Sequence, residues 1–334
     1  MWLDLLLLCG GLGLLILGGE MLIRGASALA ARLRVPPMII GLTVVAFGTS
    51  TPELVVNLTA AWRDASAVGF GNIIGSNIAN VGLLLGLTAL IRPMLVRGSI
   101  VGREIPMMLL VSVAALLMAE DQLLTGRDAN RFDRDDGLVL LLLFGVFLYY
   151  LVGDALRSRH AESPDLTGQV AALSPSIAPM PVWKMAALIA GGLAGLVLGG
   201  QGTLSGAVGL ATAAGLPPAL IALTLVAVGT SLPELATSVI AARRGQADLA
   251  IGNIVGSNIY NLGFIFGLTA AIDPIPVPPA GITDLIVMLV FSLALLPLAW
   301  TQRRINRLEG AALLAGYAGY VAWLAAGAMG VGGQ

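Results

Sequence analysis

The sequence predicts an all-α polytopic membrane protein, with about ten transmembrane helices arranged as two inverted five-helix repeats and some helices broken near mid-membrane. Three observations lead there. First, the 334 residues are 57% hydrophobic and only 11% charged, with a mean hydropathy of +0.92, whereas soluble domains carry about 25% charged residues. Second, apolar runs such as "LLLLCGGLGLLILGG" and "LVLLLLFGVFLYYLVG" approach the ~20 residues that cross a bilayer core; a membrane β-barrel would show weak alternation instead. Third, laying Gly48 on Gly229 aligns residues 17–91 with 198–272 without a gap. The matches include Asn, Ser, Glu and Pro as well as Leu and Ala, which excludes a low-complexity coincidence.

Apolar blocks separated by turn signals place spans near 3–31, 38–62, 67–91, 99–119 and 137–154, then 184–213, 219–242, 248–272, 283–301 and 310–330. The first block is expected to be a retained span, because "MWLDLLLLCG" carries Asp4 where a secretory signal carries Lys or Arg. An odd number of spans per copy makes the second copy enter the membrane from the opposite side. Loop charges agree with that inversion. With the N-terminus outside, the cytoplasmic connectors hold Arg32, Arg34, Arg92, Arg97, Arg103, Arg157, Arg159, Lys184, Arg243, Arg244, Arg303, Arg304 and Arg307. The external connectors keep Arg63 and "EDQLLTGRDANRFDRDD", in which carboxylates outnumber arginines. Both termini are thus expected outside a cell membrane. Residues 1–156 form the first repeat, 157–183 a Ser-, Pro- and Ala-rich cytoplasmic linker, and 184–334 the second repeat.

Composition also narrows function. The net charge of −1 points to no partner, and no basic cluster suggests nucleic acid. One cysteine, Cys9, permits no intrachain disulfide, and the lone His160 sits in a polar connector as a surface residue.

The chemistry concentrates in "GTSTPE" (Gly48–Glu53) and "GTSLPE" (Gly229–Glu234). Proline in a helix lacks an N–H and clashes with the carbonyl four residues back, so Pro52 and Pro233 are expected to free the carbonyls of Gly48 and Gly229. Unpaired carbonyls in hydrocarbon cost several kcal/mol, and a mid-bilayer carboxylate costs a further ~2.5 kcal/mol or more. A cation would offset both, because carbonyls, the Thr49 and Ser50 hydroxyls and the Glu53 carboxylate are hard oxygen ligands. Thr49 and Glu53, four apart, are expected on one helix face. Asn72, Ser76 and Asn80 make a polar stripe on the next span, repeated by Asn253, Ser257 and Asn261. Glycines 71, 75 and 82, with 252, 256 and 263, would allow close helix approach. Folding the inverted copies together brings Glu53 and Glu234 near each other at mid-membrane. A lone kinking proline or Ser-Asn pair is usually packing, but its recurrence in register in both copies favours function. Elsewhere the bland assignment prevails: Arg24, matched by Ser205, snorkels; Glu20, matched by Gln201, has an inessential charge; Asp154 is interfacial. Asn57, matched by Ser238, would support Glu53.

At these residues the sequence resembles the cation/Ca2+ exchanger superfamily, in particular its prokaryotic Na+/Ca2+ exchanger-like branch. The resemblance covers nearly the whole chain and rests on "GTSTPE…GNIIGSNIAN" paired with "GTSLPE…GNIVGSNIYN". It implies that Glu53 and Glu234, with backbone carbonyls of Thr49 and Thr230, bind Ca2+. It implies Na+ sites made by the same carboxylates with Ala46, Ser50, Ser76 and Asn80 and their counterparts Ala227, Ser231, Ser257 and Asn261. The long first and sixth spans would slide across this core as a gate. Ca2+ and Na+ would be substrates, the lipid bilayer the only evident partner, with no resident cofactor and no enzymatic step. Many relatives carry Asp at the end of the second motif; Asn261 here leaves two main carboxylates and implies K+-independent, electrogenic exchange. An H+/Ca2+ exchanger is the alternative, although that family typically has Asn-Ala where this chain keeps Thr-Ser. A cation channel would want a continuous charged or carbonyl-lined pore. An intramembrane hydrolase ranks last, with no HExxH, no GxSxG and no membrane His. Mg2+ fits poorly because it retains its water.

Overall fold

The computed structural model describes residues 1–63, 66–96, 98, 100–124, 126, 128–160, 180–215, 227–300 and 304–330. Among these, eight helices are long and apolar enough to cross a membrane: Trp2–Leu33, Val68–Ile91, Ile100–Met118, Arg134–Arg157, Val182–Ala213, Ala247–Ile272, Gly281–Trp300 and Arg307–Gly327. A ninth is the broken span Pro37–Thr49 plus Thr51–Trp62, bent by 46°. Of the span expected at 219–242, the described parts are the helices Ala227–Gly229 and Leu232–Arg243. Of the expected linker, residues 161–179 lie outside the described residues, while 157–160 continue the helix Arg134–His160 and Val182 opens the next.

Two short antiparallel ladders sit in the connectors, an addition to the expected all-helical chain. Strand β1 (Met94–Leu95) pairs with β4 (Arg304–Ile305), and β2 (Arg131–Phe132) pairs with β3 (Ile275–Pro276). They reveal the inversion directly. The helix Val68–Ile91 is about 36 Å long at ~1.5 Å per residue. At its start the Ser66 hydroxyl bonds Asp273, just before β3. At its far end Arg92 donates to Arg243 O (2.7 Å) and Arg307 to Leu90 O (3.1 Å), beside β1 and β4. The shift that lays Gly48 on Gly229 also lays β1 on β3, yet these two strands are at opposite ends of the molecule. Equivalent connectors therefore face opposite sides, and Arg92, Arg243, Arg304 and Arg307 gather on one of them.

Burial separates core from periphery. The helices Val68–Ile91 and Ala247–Ile272 are 78% and 83% buried, whereas Arg134–Arg157 and Arg307–Gly327 are 17% and 11% buried and present apolar surface outward. Each repeat packs into the other. A Cβ at Gly252 would lie 2.9 Å from Met38 O, and one at Gly256 would lie 2.9 Å from Leu42 Cα, so the first repeat's broken helix lies against the second repeat's core helix. The residues equivalent to 38–45 fall at 219–226, outside the described residues, so Gly71 and Gly75 have no described neighbour within 4 Å. The two 32-residue helices Trp2–Leu33 and Val182–Ala213 lie along one another. Their contact is glycine-lined: Cβ atoms at Gly18 and Gly192 would come within 2.7 Å of Leu196 N and 2.6 Å of Leu22 N. Small residues provide such backbone proximity where no hydrophobic force drives helices together.

Candidate functional site

The break in the second span sets the site. Ser50 adopts φ −82°, ψ 9° between the helices Ala46–Thr49 and Thr51–Trp62, and Pro52 occupies the first turn of the latter. Ser231 repeats this at φ −87°, ψ 7°, before Pro233 and Glu234. Both helices restart with Leu54 N–H on Ser50 O (3.1 Å) and Leu235 N–H on Ser231 O (3.0 Å). Proline suits a helix's first turn because the N–H it lacks would have no intrahelical partner there. The carbonyl bookkeeping differs from the sequence expectation. The backbone N–H groups closing the first helix end bind Ala46 O and Gly48 O, so Gly48 is not left free. Ser50 N–H takes Ala46 O at 3.0 Å, whereas Ser231 N–H takes Val228 O (3.1 Å) rather than Ala227 O. Ala227 opens the short helix Ala227–Gly229.

Glu53 and Glu234 are both buried, at 0% and 1% exposure, and near enough to repel one another. Their surroundings cross between repeats. The Ser50 hydroxyl donates to Glu234 Oε1 at 2.9 Å, while Glu53 faces Thr230 and Ser231. Thr49 donates to Asn253 Oδ1 (3.2 Å) and also lies 3.4 Å from Ala46 O; Thr230 donates to Asn72 Oδ1 (3.4 Å). Thr49 and Glu53, expected on one helix face, stand on two successive helices instead. The 46° bend separates them, and each repeat's hydroxyls turn to the other repeat. Asn57 Nδ2 donates to the backbone O of Glu53 at 2.8 Å and not to its carboxylate; Asn253 Nδ2 approaches the backbone O of Glu234 (3.4 Å) and donates to Ser238 Oγ (3.0 Å).

Among the described residues, several buried oxygens have no hydrogen-bond partner. They include both carboxylate oxygens of Glu53, Glu234 Oε2, the hydroxyls of Ser76, Ser231 and Ser257, and Oδ1 of Asn80 and Asn261. Unsatisfied buried polar atoms are uncommon and call for an explanation. Here they are hard oxygens around two carboxylates, the ligand chemistry of Ca2+ or Na+. Beside the site lies a cavity of about 240 Å³, lined by Pro52, Val55, Gln201, Leu204, Thr230 and Pro233 among others.

Two residues that the sequence stripe passed over complete the arrangement. Asn77 and Asn258 cross-link the core helices and bond Asn261 and Asn80 respectively (3.0 and 2.9 Å). Their recurrence in "GSN" in both copies was the available signal. Asn80 opens the π-helical turn Asn80–Leu85, and Asn261 lies in Tyr260–Phe266; such irregularities favour functional sites. Away from the site, Glu104 is a second kind of buried carboxylate, 2% exposed and bound to Arg103 at 2.7 Å. Asp154 also pairs with Arg103, and Glu20 pairs with Arg244.

Comparison with known proteins is consistent along the whole length. The family described as "Sodium/calcium exchanger protein" matches residues 3–153 and 184–326. The "Putative antiporter CaxA" of Alkalimonas amylolytica is 41% identical over 317 residues, covering 93% of this chain and 95% of its own. The "Sodium/calcium exchanger MaX1" of Methanosarcina acetivorans is 32% identical, covering 95% and 97%. Structures of the sodium-calcium exchanger NCX_Mj superpose with TM-scores near 0.79 at 31% identity, covering 96% of this chain and 98% of theirs. With its inverted repeats and oxygen-lined core, the chain is a multi-pass membrane transporter and not an enzyme, and it belongs to the sodium/calcium exchanger family.

Proposed function

We propose that the protein is a secondary antiporter that exchanges Na+ for Ca2+ by alternating access, with Glu53 and Glu234 as the charge that both ions neutralise in turn. The observation that carries this is the pair of buried carboxylates, one from each repeat, three of whose four oxygens have no donor among the described residues. Ca2+ would be held by these carboxylates and by carbonyls of Thr49 and Thr230. Na+ would use the carboxylates with Ala46, Ser50, Ser76 and Asn80, and with Ala227, Ser231, Ser257 and Asn261. Two negative charges balance one Ca2+ or two Na+. A third Na+ makes the loaded site positive, so exchange is electrogenic, and with Asn261 in place of an acidic residue it is K+-independent. Exchange is obligatory because the two loads compete for the same oxygens. An empty site leaves two buried carboxylates uncompensated, a penalty of several kcal/mol per ion, which opposes an unloaded crossing. In the cell membrane, the arginine-rich end faces the cytoplasm, both termini are external, and residues 157–183 link repeats 1–156 and 184–334 on the cytoplasmic side.

Coupling to H+ is the competing assignment, and the Thr49-Ser50 and Thr230-Ser231 pairs favour Na+ because their hydroxyls add neutral oxygen ligands. Ca2+ uptake into proteoliposomes decides between them. Uptake should vanish when the Na+ gradient is removed, persist with a protonophore, need no K+ and respond to an imposed membrane potential. Uptake that survives loss of Na+ but stops with the protonophore would establish H+ coupling instead.

A further inference from the structure

Each core helix contributes a neighbouring pair of asparagines, Asn77 with Asn80 and Asn258 with Asn261, and all four are buried. Their hydrogen bonds form two mirrored relays that begin at backbone carbonyls. Asn258 Nδ2 lies 3.4 Å from Asn77 O, and Asn77 Nδ2 lies 3.2 Å from Asn258 O. A carbonyl accepts and never donates, so each contact fixes which end of the amide is nitrogen. The same amides must then turn their oxygens the other way. Asn258 Oδ1 accepts from Asn80 Nδ2 at 2.9 Å, and Asn77 Oδ1 accepts from Asn261 Nδ2 at 3.0 Å. With their nitrogens occupied, Asn80 and Asn261 each keep a buried Oδ1 with no partner among the described residues.

We propose that Asn77 and Asn258 are positioning residues that hold the amides of Asn261 and Asn80 oxygen-first towards the transported cation. They touch no ion themselves. Their role rests on the ion site proposed above, because only a cation there makes the orientation consequential. A flipped Asn80 would present N–H donors to a positive charge and remove a ligand. The relay also explains why the two repeats exchange bonds at this crossing: the backbone carbonyl of one repeat fixes the helper of the other, which fixes the ligand of the first.

The test is a double-mutant cycle read by equilibrium binding of radioactive Na+ to purified protein, because Asn80 and Asn261 belong to the proposed Na+ sites. Asn258→Ala removes the acceptor that pins Asn80 and should weaken Na+ binding about tenfold, the scale of one lost hydrogen bond in a buried site. Asn80→Asp replaces the amide with a carboxylate, whose two oxygens need no such orientation. In that background Asn258→Ala should no longer weaken binding, because the pinned Asn258 Oδ1 would face a carboxylate that has no proton to donate to it. Asn77→Ala, tested with and without Asn261→Asp, should behave the same way on the mirrored arm. If an alanine variant does not fold, Asn258→Leu fills nearly the same volume without an acceptor. An equal loss in both backgrounds would reduce the helpers to packing residues and overturn the proposal, as would unchanged affinity in the native background. Full Ca2+ binding by Glu53→Gln and Glu234→Gln would instead remove the ion site itself, a different failure from that of the relay.

Discussion

Replacing Glu53 with glutamine alters one charge and almost no shape, so it should act with opposite sign on the ion-free and ion-loaded protein. Without ions, Glu53 is fully buried, its two carboxylate oxygens have no hydrogen-bond partner, and Glu234 repels it. Holding such a charge out of water costs several kcal/mol, most of which a neutral amide avoids. The amide's own N–H2 requires acceptors, available from the Thr230 and Ser231 hydroxyls nearby, which leaves a net stabilisation of about 2 kcal/mol. With Ca2+ the sign reverses. The loaded site would carry an uncompensated positive charge, and removing one partner of a buried charge pair costs about 3–5 kcal/mol, more than a hundredfold in affinity. Thermal unfolding of the purified protein reads both effects. The native protein should gain about 2.7 kcal/mol at Ca2+ a hundred times its dissociation constant. The Glu53→Gln protein should melt higher than native in chelator and show no Ca2+-dependent shift. A variant that is less stable than native without ions, or that keeps the native Ca2+ shift, would refute the reasoning.

Other consequences concern packing and the outlying charges. Gly252→Val would place a side chain 2.9 Å from Met38 O, where backbone cannot yield, and should destabilise by about 1–3 kcal/mol. Gly10→Ala, with no described neighbour within 4 Å, should melt like the native protein. Arg103→Gln leaves Glu104 buried without its cation; because the arginine is partly exposed, about 2 kcal/mol is expected, lowering the melting temperature. Adding Glu104→Gln should restore most of it. Glu20→Gln breaks a partly exposed pair with Arg244 and should change stability by less than about 1 kcal/mol, with a matching insensitivity to salt.

The repeats and the carboxylate pair were legible in the sequence because polar residues stand out in an apolar chain and recur in register. Glu53, Ser76 and Asn80 could be chosen on that ground, and each has a buried oxygen without a hydrogen-bond partner among the described residues. What the sequence hid were relations between the copies. Helical spacing put Thr49 and Glu53 on one face, but the chain bends at Ser50 and the Thr49 hydroxyl bonds Asn253. Asn77 was passed over because it lies off the four-residue stripe of Asn72, Ser76 and Asn80; its partners belong to the other repeat, so no pattern within one helix reveals it. Glu104 was concealed by its neighbour Arg103, read as one more connector charge. The connector ladders involve two residues per strand, too few for periodicity to mark.

A metal ion held between Glu53 and Glu234 is directly observable. Crystals soaked in Sr2+, an anomalous scatterer that stands in for Ca2+, measure this directly. An anomalous peak is expected between the two carboxylates, about 2.5 Å from oxygens of both, and lost in Glu234→Gln. A peak elsewhere in the molecule, with none between these side chains, would contradict it.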